Sequence, residues 1–140
     1  MPAEISINYW AVLVAAIANM ALGFIWYSKA VFGKAWMKML GMTDKKMQEA
    51  QKKGMAKILL IAFIGALVMS YVLAHFVDYL EATDIISGIQ LGLWLWLGIV
   101  AVILLGTILW EGKPLKLYLI NAGYWLVTLV VMSVILAIWP

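Results

Sequence analysis

Four polar side chains that could take part in binding or catalysis fall inside or at the end of long apolar stretches. They are Asn19, Asn121, Tyr124 and Glu111. Polar groups are costly in lipid, so they usually face protein or water and often mark a binding pocket or an ion path. They also form hydrogen bonds between helices that fix helix packing. We predict that Asn19, Asn121 and Tyr124, which lie at similar depth, cluster between the first and fourth apolar stretches, and the packing role is favoured.

Glu111 ends the third apolar stretch, in the segment Trp110-Glu111-Gly112-Lys113-Pro114. It is a candidate intramembrane acid that would join the polar cluster. The favoured alternative places it at the membrane interface, where it would pair with a nearby lysine.

A second candidate site combines Lys34, Trp36 and Lys38. Phe32, Trp36 and Leu40 recur at helical spacing, and the two lysines fall on the opposite side, which predicts a short amphipathic helix lying in the interface. Such a helix could contact lipid headgroups, with each lysine gaining about 1 kcal/mol near anionic lipid. The favoured alternative is that the lysines are solvated and only set the topology.

Enzymatic chemistry is not favoured, and we predict no catalytic residue, metal site or cofactor. The chain has no cysteine, and His75 is its one histidine, which is too few for a convincing metal site. His75 is expected to bond a neighbour near the end of the second apolar stretch. No phosphate-binding loop or zinc-protease motif occurs.

These residues must be positioned by membrane-spanning helices. The mean hydropathy is +1.02 and charged residues make up 12 % of the chain, against about a quarter in soluble domains. Four runs of 22–25 residues, long enough as helices to cross a core of about 30 Å, cover residues 5–27, 56–77, 86–110 and 115–139. We predict an all-α integral membrane four-helix bundle, a single domain over 1–140, with a basic loop over 28–55.

The lysines predict the orientation. Seven of the ten lie between the first and second runs, with Lys57 at the start of the second, and Lys113 lies between the third and fourth runs, with Lys116 at the start of the fourth. The connection between the second and third runs carries Asp78, Glu81 and Asp84. Lysine-bearing short loops stay in the cytoplasm. We expect a bacterial inner-membrane protein with cytoplasmic basic loops and both termini outside, whose localised charge does not indicate nucleic-acid binding.

The second and fourth runs share a pattern. Val68-Met69-Ser70 and the residues after it resemble Val131-Met132-Ser133 and its continuation, with five of nine positions matching. The two runs point the same way, so a duplication would produce a parallel repeat of two helical hairpins. The alternative is that apolar helices draw on few residue types.

Several motifs together resemble a known family. They are Trp26-Tyr27-Ser28 with Phe32-Gly33-Lys34-Ala35-Trp36, Leu73-Ala74-His75, Gln90-Leu91-Gly92 with Trp94-Leu95-Trp96-Leu97-Gly98, Glu111 to Lys116, and Leu119 to Tyr124. This combination is similar to the bacterial domain-of-unknown-function family 1761. The resemblance implies a small four-helix integral membrane protein and no particular activity. Members often have histidine where this chain has Trp125.

Three functions stay open. The favoured one is a structural or accessory membrane module that forms a homo-oligomer, because small-residue packing faces are abundant. The second is a transporter or channel for a small solute or ion that uses the polar cluster. The third is a lipid-binding module that uses the lysine-bearing amphipathic helix. The partners expected are the bilayer, anionic lipid and further copies of the chain.

Overall fold

The computed structural model describes residues 6–41 and 43–139, and the regular elements within them are helices. Four helices are long and apolar enough to cross a membrane: α1 (Tyr9–Trp26), α4 (Met55–Tyr79), α5 (Ile85–Leu109) and α6 (Leu115–Ile138). Two short helices, α2 (Gly33–Met39) and α3 (Asp44–Lys52), connect α1 to α4. The chain is a multi-pass membrane protein, and the predicted all-α four-helix architecture is confirmed.

Helix α1 begins later than predicted. The Asn8 side chain accepts hydrogen bonds from the main-chain N–H groups of Trp10 and Ala11, at 3.1 and 3.2 Å, and so caps the helix ahead of Tyr9. The prediction was wrong over residues 6–8, which are not helical. It was based on the apolar content of the run, which does not show where a capping residue begins the helix. Ile5, where the predicted span began, lies outside the described residues.

The connection after α1 contains two short helices, α2 and α3. Gly41 ends α2; it has φ +70°, and its N–H donates to Lys38 O over 3.2 Å. The Thr43 hydroxyl then accepts from the N–H of Lys46 at 3.2 Å, at the start of α3. Gly54, with φ +125°, separates α3 from α4.

Helix α6 lies at the centre and packs against each of the other three spans. Its closest neighbour is α5, where Gly88 and Gly92 face it. A Cβ on Gly92 would lie 2.7 Å from the Cα of Val130, and one on Gly88 would lie 2.8 Å from the Cα of Val134. The two backbones therefore approach to a distance that only glycine permits.

Helices α1, α4 and α6 enclose the core of the bundle. Ala11 and Ala15 of α1 are buried there, and the hydroxyl of Ser70 on α4 donates to the main-chain oxygen of Val12 over 2.8 Å. Short side chains bring α1 and α4 together, and the serine hydroxyl uses a second lone pair of a helical carbonyl.

Helices α4 and α5 stand apart, separated by an open apolar groove of about 420 Å³ with Leu129 of α6 at its floor. One wall includes Ile99 and Val100, at the end of the π-helical segment of α5, Trp96–Val100, in which the Ala101 N–H bonds back to Trp96 O. In a parallel repeat the α4–α5 interface would match the α1–α6 interface. These two interfaces differ, so the hairpin repeat stays a prediction from sequence.

The two ends of the bundle differ in charge. At the end we call the acidic end, the α4–α5 connection (residues 80–84) lies beside residues 6–8 and Trp139, and the Asn8 amide donates to Trp139 O over 3.4 Å. Asp84 caps α5 there by accepting from the Ser87 N–H at 2.8 Å, and the hydrogen bonds from Ser87 lower its pKa below the ordinary value. The opposite, basic end carries residues 27–54 and 110–116.

Candidate functional site

The centre of the candidate site is a contact between α1 and α6. The Tyr124 hydroxyl lies 2.8 Å from Asn19 Oδ1 and 3.0 Å from the main-chain oxygen of Asn19, so its proton can be donated to either atom. Asn19 is 5 % exposed and Tyr124 is 8 % exposed. The pair is an interhelical hydrogen bond within the apolar interior.

One turn nearer the basic end, a second bond joins the same helices. Tyr27, which caps the end of α1, donates its hydroxyl to Asn121 Oδ1 over 2.6 Å. Burial raises the pKa of Tyr27 to about 12, so the phenol keeps the proton that it donates at neutral pH. The Tyr27 and Tyr124 rings meet edge to face at 5.4 Å, which makes one continuous polar cluster of Asn19, Tyr27, Asn121 and Tyr124.

Tyr27 is the member of this polar cluster that the sequence prediction left out. A signal for it exists, because Asn19, Gly23 and Tyr27 recur every four residues and therefore share one face of α1. Gly23 lies between them, where a Cβ would stand 3.2 Å from the Tyr124 hydroxyl oxygen. A small residue at that position leaves room for the tyrosine side chain.

The amide nitrogen of Asn19 has unusual partners. Nδ2 lies 3.8 Å from Met69 Sδ on α4 and 3.6 Å from Met132 Sδ on α6. Thioether sulfur is a weak acceptor, so a nearly fully buried amide has its donors directed at poor partners. The buried hydroxyl oxygen of Thr128, one turn from both Tyr124 and Met132 on α6, meets no hydrogen-bond partner of good geometry among the described residues.

Glu111 does not join the polar cluster. It is exposed in the turn after α5, where its N–H donates to Gly106 O over 3.3 Å. Its carboxylate makes no ion pair with any described residue, so the pairing expected with Lys113, Lys116 or an earlier lysine is not present. The exposed turn lets water solvate the carboxylate, which removes the need for a partner.

Lys34, Trp36 and Lys38 lie on α2. Both lysines are exposed, whereas Trp36 is half-buried and its ring lies 5.2 Å from the Tyr27 ring. Gly33 holds the start of α2 against the end of α1, because a Cβ there would stand 2.4 Å from Tyr27 O. Trp36 therefore joins α2 to the polar cluster.

Two tryptophans extend the contacts made by α6. Trp26 Nε1 donates to Ile120 O over 2.9 Å, and Trp96 Nε1 donates to Ala122 O over 2.7 Å. His75 lies elsewhere, at the outer surface of α4, and its Nδ1 is 2.8 Å from Tyr71 O, so it bonds a neighbour as predicted.

Comparison with known proteins gives one family. The family model described as "Protein of unknown function (DUF1761)" matches residues 10–137, which include the polar cluster, α2 and nearly all of the four spans. No match was found among curated proteins or among solved structures. Because the match covers almost the whole chain and agrees with the motifs noted above, the protein belongs to the DUF1761 family.

Proposed function

We propose that this protein is a small structural or accessory membrane module without catalytic activity, in which the polar cluster fixes how α1 and α6 pack. The observation that carries the proposal is how the polar atoms are used. The Tyr27 hydroxyl donates a hydrogen bond of 2.6 Å to Asn121 on the facing helix, and the Tyr124 hydroxyl donates one of 2.8 Å to Asn19. Groups paired in this way within an apolar interior hold helices together rather than bind a solute.

Electrical recording distinguishes this role from transport of ions. The purified protein in planar bilayers is expected to give no conductance above protein-free membranes in potassium or sodium salts. A conductance that disappears in Tyr124→Phe, while that variant stays folded by circular dichroism, would overturn the structural role in favour of a channel that uses the polar cluster.

We also propose that the basic end faces the cytoplasm of a bacterial inner membrane and that both termini lie outside. The support is the lysine distribution, since short loops with lysine are retained inside. The chain has no cysteine, so Thr83→Cys at the acidic end and Gly112→Cys at the basic end each supply a single label site. In intact spheroplasts a membrane-impermeant maleimide should label Thr83→Cys and leave Gly112→Cys unlabelled; the reverse result would invert the topology.

The proposed module forms homo-oligomers through α5. Gln90 and Trp94 are exposed on one face of this helix, and Gly98, one turn further, has open space around it. The Gln90 amide makes no hydrogen bond with the described residues, and a polar side chain on a lipid-facing surface favours a bond to another helix. Two copies related by a two-fold axis would bring the Gln90 side chains together.

Cysteine cross-linking in native membranes tests this oligomer. Trp94→Cys should form a disulfide-linked dimer under mild oxidation, whereas Ile61→Cys, on the lipid-facing surface of α4, should stay monomeric. Equal cross-linking at both positions, or none at Trp94→Cys, would exclude the α5 interface.

Lipid binding by α2 is the second candidate function, favoured by the exposed Lys34 and Lys38 beside a half-buried Trp36. In nanodiscs, the melting temperature should rise with the fraction of anionic lipid, and Lys34→Gln/Lys38→Gln should reduce that rise. The matched variant Lys52→Gln/Lys53→Gln removes the same charge from the end of α3 and the turn after it. If both double variants respond alike, the effect is general charge attraction and α2 is not a site.

A further inference from the structure

The shared triplets of the second and fourth spans meet at one residue of the first. Met69, in Val68-Met69-Ser70, and Met132, in Val131-Met132-Ser133, direct their sulfurs at the Asn19 amide from α4 and α6. We propose that Asn19, Met69 and Met132 form a buried site for a soft monovalent metal cation of the Cu⁺ class. This site goes beyond the proposed structural role and does not depend on it.

The donor types select the ion. Thioether sulfur is a soft ligand that favours Cu⁺ over the harder divalent ions, and the chain has no cysteine to compete for it. Within residues 6–41 and 43–139, no group of three or more His, Cys, Asp or Glu side chains could hold a metal ion. Methionine sulfur and amide oxygen are the metal ligands that converge in the described interior.

The spacing of the donors fits a small ion. The terminal amide atom of Asn19 lies 3.8 Å from Met69 Sδ and 3.6 Å from Met132 Sδ. Two ligands bound to one ion at about 2.2 Å, with a near-tetrahedral angle between them, are about 3.6 Å apart. An ion held by the amide and one of the sulfurs would thus need little movement of that methionine.

Asn19 can present its oxygen to the ion without losing a hydrogen bond to Tyr124. A half-turn of the amide exchanges Oδ1 and Nδ2, so that Nδ2 donates to the Tyr124 oxygen, now 2.8 Å away. The Tyr124 hydroxyl then donates to the main-chain oxygen of Asn19, already within 3.0 Å. The rearrangement gives up only the weak N–H···S contacts.

The charge of the site restricts the ion to a single positive charge. Its three donors are neutral, so no anion offsets the free-energy cost of placing a cation in the apolar interior. A divalent ion would double the uncompensated charge. The buried hydroxyl oxygen of Thr128, on the same face of α6 as Tyr124 and Met132, supplies a further neutral dipole.

Cations would be concentrated near the acidic end of the bundle. A cavity of about 180 Å³ opens there between α1, α4 and α6, the helices that carry the three donors. Asp78 and Glu81 line it, with Ala11, Ala74 and Leu136 on its apolar side. Carboxylates at the mouth of a low-dielectric cavity raise the local concentration of cations.

Silver ion is the probe, because Ag⁺ shares the preference for thioethers and undergoes no redox cycling. The full-length protein in nanodiscs would be equilibrated with silver nitrate in chloride-free buffer, desalted and analysed for silver per chain. Met69→Leu/Met132→Leu removes both thioethers with little change in volume. Met37→Leu/Met55→Leu is the control, since it removes two methionines that lie near the basic end.

We expect Met69→Leu/Met132→Leu to bind one silver ion fewer per chain than the wild type, and the control to bind as many as the wild type. Silver X-ray absorption of the wild type at one equivalent should show two sulfur neighbours. Equal silver content in all three proteins, or a first shell without sulfur, would overturn the proposal. The melting temperature without metal confirms that each variant is folded.

Discussion

The hydroxyl of Tyr124 stands within hydrogen-bond distance of two oxygens that belong to Asn19, the side-chain Oδ1 at 2.8 Å and the main-chain oxygen at 3.0 Å. One phenol on α6 thus fixes the axial position of α1 relative to α6. Because a single proton serves two acceptors, the bond tolerates rotation of the Asn19 amide but not loss of the hydroxyl.

Replacement of Tyr124 by phenylalanine should lower the free energy of unfolding by about 1–2 kcal/mol, because a buried acceptor on Asn19 loses its strongest donor. Chemical unfolding in bicelles, followed by tryptophan fluorescence, measures the change. Tyr71→Phe is the control, since Tyr71 is exposed on α4 and its hydroxyl makes no hydrogen bond with the described residues. A Tyr124→Phe variant as stable as this control would mean that the bond contributes nothing.

The α5–α6 contact predicts opposite results for two glycines of one helix. Gly92→Ala places a methyl group 2.7 Å from the Cα of Val130, so the helices must separate, and we expect a loss of about 1–3 kcal/mol. Gly98→Ala meets no atom of the same chain within 4 Å, so in monomeric protein it should be neutral or slightly stabilising. The same unfolding assay applies to both, and equal destabilisation would contradict this packing.

The matched serines of the two triplets should differ in the same way. Ser70 donates to Val12 O over 2.8 Å, so Ser70→Ala should destabilise the bundle by about 0.6 kcal/mol, the average for such bonds in membranes. Ser133 is buried without a partner for its hydroxyl oxygen, so Ser133→Ala should be neutral or stabilising. Thermal unfolding in one detergent compares the two, and a larger loss for Ser133→Ala would reverse the assignment.

The cap of α5 predicts a dependence on acid. Because hydrogen bonds from Ser87 lower the pKa of Asp84 in the folded protein, the cap contributes stability above the ordinary aspartate pKa of about 3.9. That contribution is lost as the pH falls through the lowered pKa. Melting temperatures between pH 6 and pH 2.5 should fall more steeply for the wild type than for Asp84→Asn, in which an uncharged amide caps the helix; identical slopes would show that the cap does not titrate.

Hydropathy and charge were enough to predict the four spans, because segments in lipid must be long, apolar and helical. Details that depend on a single polar atom were harder to obtain. The Asn8 cap, which the apolar pattern does not reveal, sets where α1 begins. The turn that exposes Glu111 follows from Gly112, whose φ is +65°. Neither effect changes the hydropathy of its segment.

Part of the candidate site also followed from spacing. Asn121 and Tyr124 were placed on one face of the fourth span, and Asn19 on the facing side of the first, because a helix repeats every 3.6 residues. Spacing does not reveal which helix neighbours which, so the convergence of Met69 and Met132 on Asn19 needed the fold. The π-helical segment of α5 likewise has no marker in the sequence that we recognise.

Helix α6 contacts each of the other three spans, yet it is the last of the four to leave the ribosome. Before α6 is inserted, α4 and α5 make few contacts with each other, and the Asn19 side chain lies in the bilayer without the Tyr124 hydroxyl as a partner. Assembly of the fold is therefore postponed until α6 has been made. A nascent chain stalled before α6 would expose the polar face of α1 and the glycine face of α5 to membrane quality control.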